Sequence, residues 1–519
     1  MKSKQILLLG ASLLAFNFSS PAQGKKETTT VVKRMDVQQD SINNFKKPQK
    51  AITHGVVTVE GKRISYEAVS GTLVLKDNEN SPTISMSYFA YFKDDAGDAM
   101  QRPLTFIYNG GPGSATFWLH MGAWGPQRVY LEDTSRTRAP YKTVNNDYSL
   151  LDASDLVFID APGTGFGELI TKKMGGSGDP KDFFGIDQDG QAFASFITQF
   201  ITEFNRWNSP KYLFGESYGT FRSAVVANLL QSSKGVGLNG VILLSQLLNY
   251  GNMSEGAAGN PGNDRPFELV LPSYAATAWY HHKLPNQPGK LEPFLREVEH
   301  FAMNDYALAL NKGATLDKAS FDQIAEKLHQ YTGLPVAYLR KANLRVSGPQ
   351  FEQTLLGDED KITGRLDSRF SGAAEDPLSE YAQYDPMDSY IDAAFTATFN
   401  NYVRTQLKFG KGMTYKTRGN TGRWDFQRRG FLGFPNVMND LAQAMIYNPD
   451  LKVMLNQGYF DLGTPYYEGE FEMQHLPMPA FLQKNIEYDR YMSGHMVYLH
   501  PESLKLLHDN VAKFINTTH

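Results

Sequence analysis

Residues 211–221 read Lys211-Tyr212-Leu213-Phe214-Gly215-Glu216-Ser217-Tyr218-Gly219-Thr220-Phe221. An apolar run, Tyr212 to Phe214, meets the pentapeptide Gly215-Glu216-Ser217-Tyr218-Gly219, and a stretch of helical character follows from Phe221 to Leu230. This is the strand–turn–helix setting of a nucleophile elbow. A serine hydroxyl is a weak nucleophile until a neighbouring base takes its proton, and it must project from the fold to reach a carbonyl. A sharp strand-to-helix turn provides that projection at the cost of backbone crowding. The positions two before and two after the serine therefore favour residues without a Cβ, and Gly215 and Gly219 occupy them.

Outward from the elbow, short apolar strands recur: Leu104 to Tyr108, Leu156 to Ile159, Tyr212 to Phe214 and Val241 to Leu244. A helical segment, Gln191 to Asn205, precedes the third, and the elbow helix precedes the fourth. Continuous apolar strands alternating with helices indicate an α/β fold whose mainly parallel central sheet is covered on both faces. Upstream, the stretches 55–59, 63–66, 72–75 and 84–92, separated by Gly61, Gly71 and Asn78-Glu79-Asn80, predict N-terminal β-hairpins at one side of that sheet. The alternation stops near Asn249, and a Gly- and Asn-rich stretch, 251–264, introduces a long region of helical periodicity. A strand returns only at Leu451 to Leu455. The predicted organisation is a core in two parts, 51–249 and 450–519, with a helical cap insertion at 250–449.

A serine nucleophile needs a histidine to accept its proton and a carboxylate to hold the histidine tautomer. In the α/β-hydrolase arrangement these follow the serine in the order acid, then histidine, each in a loop after a strand. Asp461 is the early carboxylate in the Gly- and Pro-bearing loop after Leu455, and His495 follows the strand-like Asn485 to Tyr488. His475, His500 and His508 compete less well, lying in a loop or at the last helix, and Asp160 precedes Ser217 and breaks the order. An anionic tetrahedral intermediate also needs backbone donors. Asn109-Gly110-Gly111-Pro112-Gly113 follows a strand where such a loop belongs, which points to the N–H groups of Gly111 and Tyr218.

The chain of 519 residues carries a formal charge of −4, which supplies no electrostatic attraction for nucleic acid. Without cysteine it forms no disulfides, thiolate nucleophile or Cys-ligated metal site. His281-His282 lack a third ligand at metal-binding spacing, so neither metal nor cofactor is expected. Lys2 and Lys4, the apolar stretch Ile6 to Phe18, and Ser20-Pro21-Ala22 read as a signal peptide over 1–22. A solvated polar tether, 23–50, follows, and no other stretch has the apolar length of a bilayer span. Together these predict a secreted or periplasmic protein with no integral membrane segment after cleavage.

These blocks resemble the serine carboxypeptidase family. Asn109-Gly110-Gly111-Pro112-Gly113, Trp124-Gly125-Pro126 and Asp160-Ala161-Pro162-Gly163-Thr164-Gly165-Phe166 are similar to its motifs, as are Gly215 to Gly219, Gly458 to Asp461 and Gly494-His495-Met496. The resemblance implies an exopeptidase whose partners are peptide substrates with a free C-terminus. It also implies that Asn109 and Glu216, with the Gly110 N–H nearby, hold the substrate's terminal carboxylate. A Glu donates a hydrogen bond only while protonated, so such enzymes often prefer acid solution, and Ala123, in the place of a second Glu, predicts a less acidic preference here. There are three departures. Ala123 stands where many relatives have a second Glu, Gly219-Thr220 replaces the usual Ala-Gly, and the cysteines of many secreted relatives are absent, which makes the likeness one to bacterial-type members. An acyltransferase or esterase on the same scaffold, and a non-catalytic peptide-binding protein, remain as alternatives.

Overall fold

The computed structural model describes residues 45–419, 422, 424–428, 430 and 433–519. The segment read as a signal peptide, and the tether up to residue 44, lie outside the described residues. Nine strands make the main path of the sheet: β1 (Lys50–Val59), β2 (Lys62–Lys76), β3 (Pro82–Lys93), β4 (Leu104–Tyr108), β5 (Asp155–Ile159), β6 (Lys211–Glu216), β7 (Gly240–Leu244), β8 (Lys452–Gly458) and β9 (Ile486–Tyr491). Their spatial order is β1-β2-β3-β5-β4-β6-β7-β8-β9. The first three pair antiparallel, as does β3 with β5. From β5 to β9 every pairing is parallel. This is the mainly parallel sheet of an α/β hydrolase with antiparallel strands at one side.

The strands read as unbroken apolar runs because both faces of the sheet are covered. Side chains alternate between faces, and the packing follows that period. Phe106, Leu213, Val241, Leu243 and Val453 face a cluster with Phe200, Val225 and Leu230 from the helices Ile186–Glu203 and Tyr218–Ser233. Their neighbours Ile107, Tyr212, Phe214, Ile242 and Met454 face the opposite cluster, which holds Leu507, Val511 and Phe514 of the C-terminal helix Pro501–Thr517. One expectation fails at Gly71. The sequence there reads as a break between two short strands, yet β2 runs through it, paired with Lys50 on one side and Tyr88 on the other. A Cβ at 71 would come within 2.7 Å of the Gln49 carbonyl oxygen and 2.9 Å of the Tyr88 hydroxyl, so glycine serves close strand approach there, not a turn.

The region 250–449 packs in three directions. Residues between Val270 and Leu356 form a cluster of their own, and Tyr459, Phe460 and Leu462 of the Asp461 loop join it. The helix Pro386–Thr405 contributes Phe395 and Phe399 to one face of the sheet. Leu441 and Met445 of the helix Met438–Tyr447 lie in the cluster beneath the elbow helix. Among the described residues no helix is long and apolar enough to cross a membrane.

Register decides where the chemistry gathers. Tyr108 pairs with Gly215, Glu216 with Leu244, and Leu244 with Asn456, so the carboxyl ends of β4, β6, β7 and β8 finish level. A buried ion pair clamps two of the loops that leave them. Arg222 of the elbow helix bonds Asp189 through Nε (2.6 Å) and donates from Nη1 to the Asn109 carbonyl (2.8 Å), its guanidinium 4.2 Å from the Phe193 ring centre. Removing one partner of a buried pair strands the other charge, typically at a cost of about 3–5 kcal/mol. Asp189→Ala is accordingly expected to lower unfolding stability by about that amount in denaturant titrations. A loss below about 1 kcal/mol would show the pair to be dispensable.

Candidate active site

Ser217 stands between β6 and its helix at φ 60° and ψ −131°. A non-glycine residue with positive φ carries backbone strain, typically about 1–3 kcal/mol, and persists only where the surroundings enforce it. The enforcement is local: the Ser217 N–H donates to the Leu244 carbonyl (3.0 Å), and its own carbonyl accepts from the Thr220 N–H (2.8 Å) and hydroxyl (2.7 Å). Both elbow glycines are required sterically. A Cβ on Gly215 would strike the Gly219 carbonyl, and one on Gly219 would lie 2.8 Å from the Tyr108 carbonyl oxygen. Tyr218 opens the helix, so its N–H has no intrahelical acceptor and is available to a ligand.

Asp461 is completely buried behind His495, and its Oδ2 lies 2.7 Å from His495 Nδ1. The other oxygen, Oδ1, accepts from the N–H groups of Gly463 and Thr464, both at 2.9 Å. The Thr464 hydroxyl donates to Oδ2 at 2.7 Å and also borders His495 Nδ1 at 3.1 Å. His495 is fixed by its backbone as well: its N–H donates to the Leu366 carbonyl (2.6 Å), and the Ser245 hydroxyl donates to its carbonyl (2.6 Å). Burial opposes the charged imidazolium, but the charge of Asp461 and its hydrogen bond outweigh it, and the His495 pKa sits above its ordinary value. Thr464 was not singled out from the sequence. Its signal is there, a hydroxyl three residues after the acid in a Gly/Pro loop.

Asn109 and Glu216 meet directly. Asn109 Nδ2 donates to Glu216 Oε1 at 2.7 Å, while Asn109 Oδ1 accepts from the Leu119 N–H at 3.1 Å. Glu216 is buried, and its Oε2 has no hydrogen-bond partner. Burial pushes its carboxyl up to about pKa 7, against the opposing influences of His495, Tyr498 and Asn109. Gly110 lies flat against the elbow: a Cβ there would strike the Tyr218 nitrogen and come within 2.8 Å of the Glu216 carbonyl oxygen and the Gly219 nitrogen.

Asn109, Gly110, Gly111, Glu216, Ser217 and His495 all border one cleft of about 330 Å³. Its far wall comes from the helical region and from residues the sequence did not single out: Arg365, Leu366, Asp388 and Arg418, with Trp118 from the core. Arg365 is paired with Glu255. Asp160, the carboxylate set aside on chain order, does not border this cleft. It is buried and accepts from the Ser87 hydroxyl (2.7 Å), the Thr116 N–H (2.9 Å) and the Tyr415 hydroxyl (2.7 Å), bracing the loop after β4.

A fluorophosphonate reads the reactivity of Ser217 directly. Asn in place of Asp461 would favour the wrong histidine tautomer, a change worth about 10⁴-fold in comparable triads. Labelling of Ser217 is expected to slow by that order in Asp461→Asn. A slowing of less than tenfold would assign the tautomer-holding role to another group.

Comparison with known proteins agrees with the geometry. Residues 61–259, which include the loop after β4 and the elbow, match the serine carboxypeptidase family. The pheromone-processing carboxypeptidase KEX1 of Yarrowia lipolytica is 31% identical over 146 residues, 28% of this chain and 21% of that protein. The matched segment thus spans about a fifth of that relative's length. The crystal structure of the prohormone-processing carboxypeptidase KEX1(Δ)p from Saccharomyces cerevisiae superposes with a TM-score of 0.55 at 16% identity, covering 87% of this chain and 92% of that one. At such identity the superposition speaks for the fold. The segment bearing the loop after β4 and the elbow is thus similar to the serine carboxypeptidase family, and the fold is that of an α/β hydrolase.

Proposed function

We propose that this chain is a serine carboxypeptidase that releases C-terminal residues from peptides through an acyl-enzyme on Ser217. The observation that carries this reading is Glu216. A carboxyl beside the nucleophile, buried and bonded to Asn109 on the cleft wall, has its pKa raised to about 7. An ionised Glu repels a carboxylate, whereas a protonated one donates a hydrogen bond to it. Burial keeps that proton in place up to neutral pH, so the site suits a peptide's free C-terminus.

Ser217 Oγ attacks the scissile carbonyl while His495 Nε2 takes its proton, and Asp461 Oδ2 accepts from His495 Nδ1–H and steadies the imidazolium. The N–H groups of Gly111 and Tyr218 receive the oxyanion. Collapse expels the C-terminal residue as its amine, which takes the proton from His495. Water, deprotonated by the same nitrogen, then hydrolyses the acyl-enzyme. Asn109, the Gly110 N–H and Glu216 hold the terminal carboxylate, so that hydrolysis is directed to the last bond. The N-terminal segment, with its lysines, apolar run and small residues before Gln23, supports export, and a secreted or periplasmic location fits a peptidase of this kind.

The pH dependence has a definite sign. His495 must be neutral to act as base, and its raised pKa puts the acid limb of kcat/KM above the ordinary histidine range. Glu216 must be protonated, and its pKa of about 7 sets the alkaline limb. The working form therefore holds one proton between the two, on Glu216, and kcat/KM is expected to trace a narrow bell near neutrality. Amidating the substrate's C-terminus should reduce kcat/KM sharply, and Glu216→Gln, which donates at any pH, should flatten the alkaline limb for free-acid peptides. Equal cleavage of amidated and free-acid peptides would point to an endopeptidase or an esterase.

A further inference from the structure

Two buried polar atoms beside the cleft are left without a hydrogen bond: Glu216 Oε2 and the hydroxyl of Tyr498. They belong to chain segments far apart in sequence, yet the phenol faces both Glu216 and Asn109. Tyr498 lies on the short turn Val497–Leu499 that follows His495, and it does not border the cleft. Its ring crosses Gly122 so closely that a Cβ there would lie 2.5 Å and 2.6 Å from two ring carbons. Gly122, next to Ala123, therefore leaves the space that this ring occupies. An unpaired carboxyl oxygen and an unpaired hydroxyl buried side by side are complementary, and each costs stability while unsatisfied.

We propose that Tyr498 is a positioning residue for terminal-carboxylate recognition: its hydroxyl donates to Glu216 Oε2 from the side away from the cleft and so aims the Oε2 proton at the substrate. Asn109 occupies Oε1, Tyr498 takes a lone pair of Oε2, and the Glu216 side chain itself borders the cleft. The groups that face Glu216 are Asn109 after β4, Asp461 after β8, and His495 and Tyr498 before the last helix. Of these, Tyr498 is the donor whose loss leaves the triad and the Asn109 bond in place. Burial keeps the phenol protonated across the working range. Donation to a carboxylate stabilises its ionised form, so Tyr498 holds the Glu216 pKa lower than burial alone would set it.

This inference rests on the carboxylate reading of Glu216, and two measurements on Tyr498→Phe keep them separate. Infrared titration of the Glu216 carboxyl, identified by its disappearance in Glu216→Gln, should show its pKa rise by about one pH unit in Tyr498→Phe. The alkaline limb of kcat/KM on a free-acid peptide should move upward with it. In a Glu216→Gln background, Tyr498→Phe should leave the pH profile unmoved. An unshifted carboxyl titration in folded Tyr498→Phe overturns the proposal. A shifted titration with an unmoved limb keeps the Tyr498–Glu216 contact, but overturns the positioning role along with the reading of Glu216 as the carboxylate donor.

Discussion

The backbone of Gly110 lies against the backbone of the elbow, with no room between them for a single methyl group. That contact joins the two halves of the site. It sets the Gly110 backbone beside the nitrogen at the start of the elbow helix, the two segments proposed to supply the oxyanion donors. It also draws Asn109 onto Glu216 and delivers the Asn109 carbonyl to Arg222. The parallel pairing of Tyr108 with Gly215 makes the approach possible, and the strained φ of Ser217 is the conformation that aims the hydroxyl outward beside it. A larger residue at 110 would separate the donors from the nucleophile and loosen the buried Asp189–Arg222 pair below.

Electrostatics then divides the labour among carboxyl groups that share one small volume. Asp461 is surrounded by donors, two backbone N–H groups and the Thr464 hydroxyl, and stays an acceptor for His495. Glu216 has far fewer donors around it, with Asn109 on Oε1, and burial favours its neutral form. The same residue class therefore serves as anion at one position and as acid at the other because their hydrogen-bond environments differ. Glu216 responds to the charge on His495, and His495 to that of Glu216, which is why the pH behaviour belongs to the set and not to one residue.

Much of this was legible in the sequence because it is local. Gly215, Ser217 and Gly219 mark the elbow once the apolar run before them and the helical stretch after them are read with it, and the loops of Asp461 and His495 are marked by Gly and Pro after apolar strands. The sheet was legible because strands buried on both faces read as uninterrupted apolar runs. Gly71 misled because a glycine allowing close strand approach and a glycine in a turn look alike in sequence. The helical stretch 291–310 hides a π-type turn over Ala302–Tyr306 that periodicity does not register. Arg365, Asp388, Arg418 and Tyr498 reach the site through long-range packing, which neither local spacing nor propensity encodes. The helix Met438–Tyr447 likewise lies within the region read as cap, yet packs beneath the elbow helix.

The proposed activity processes peptides one residue at a time from a free C-terminus. Mass spectrometry of a mixed peptide library incubated with the wild-type chain and with Ser217→Ala tests it most directly. The account predicts ladders of successive single-residue losses from the C-terminal end alone, and none with Ser217→Ala. Internal cleavage products, losses from the N-terminus, or identical products from Ser217→Ala would contradict it.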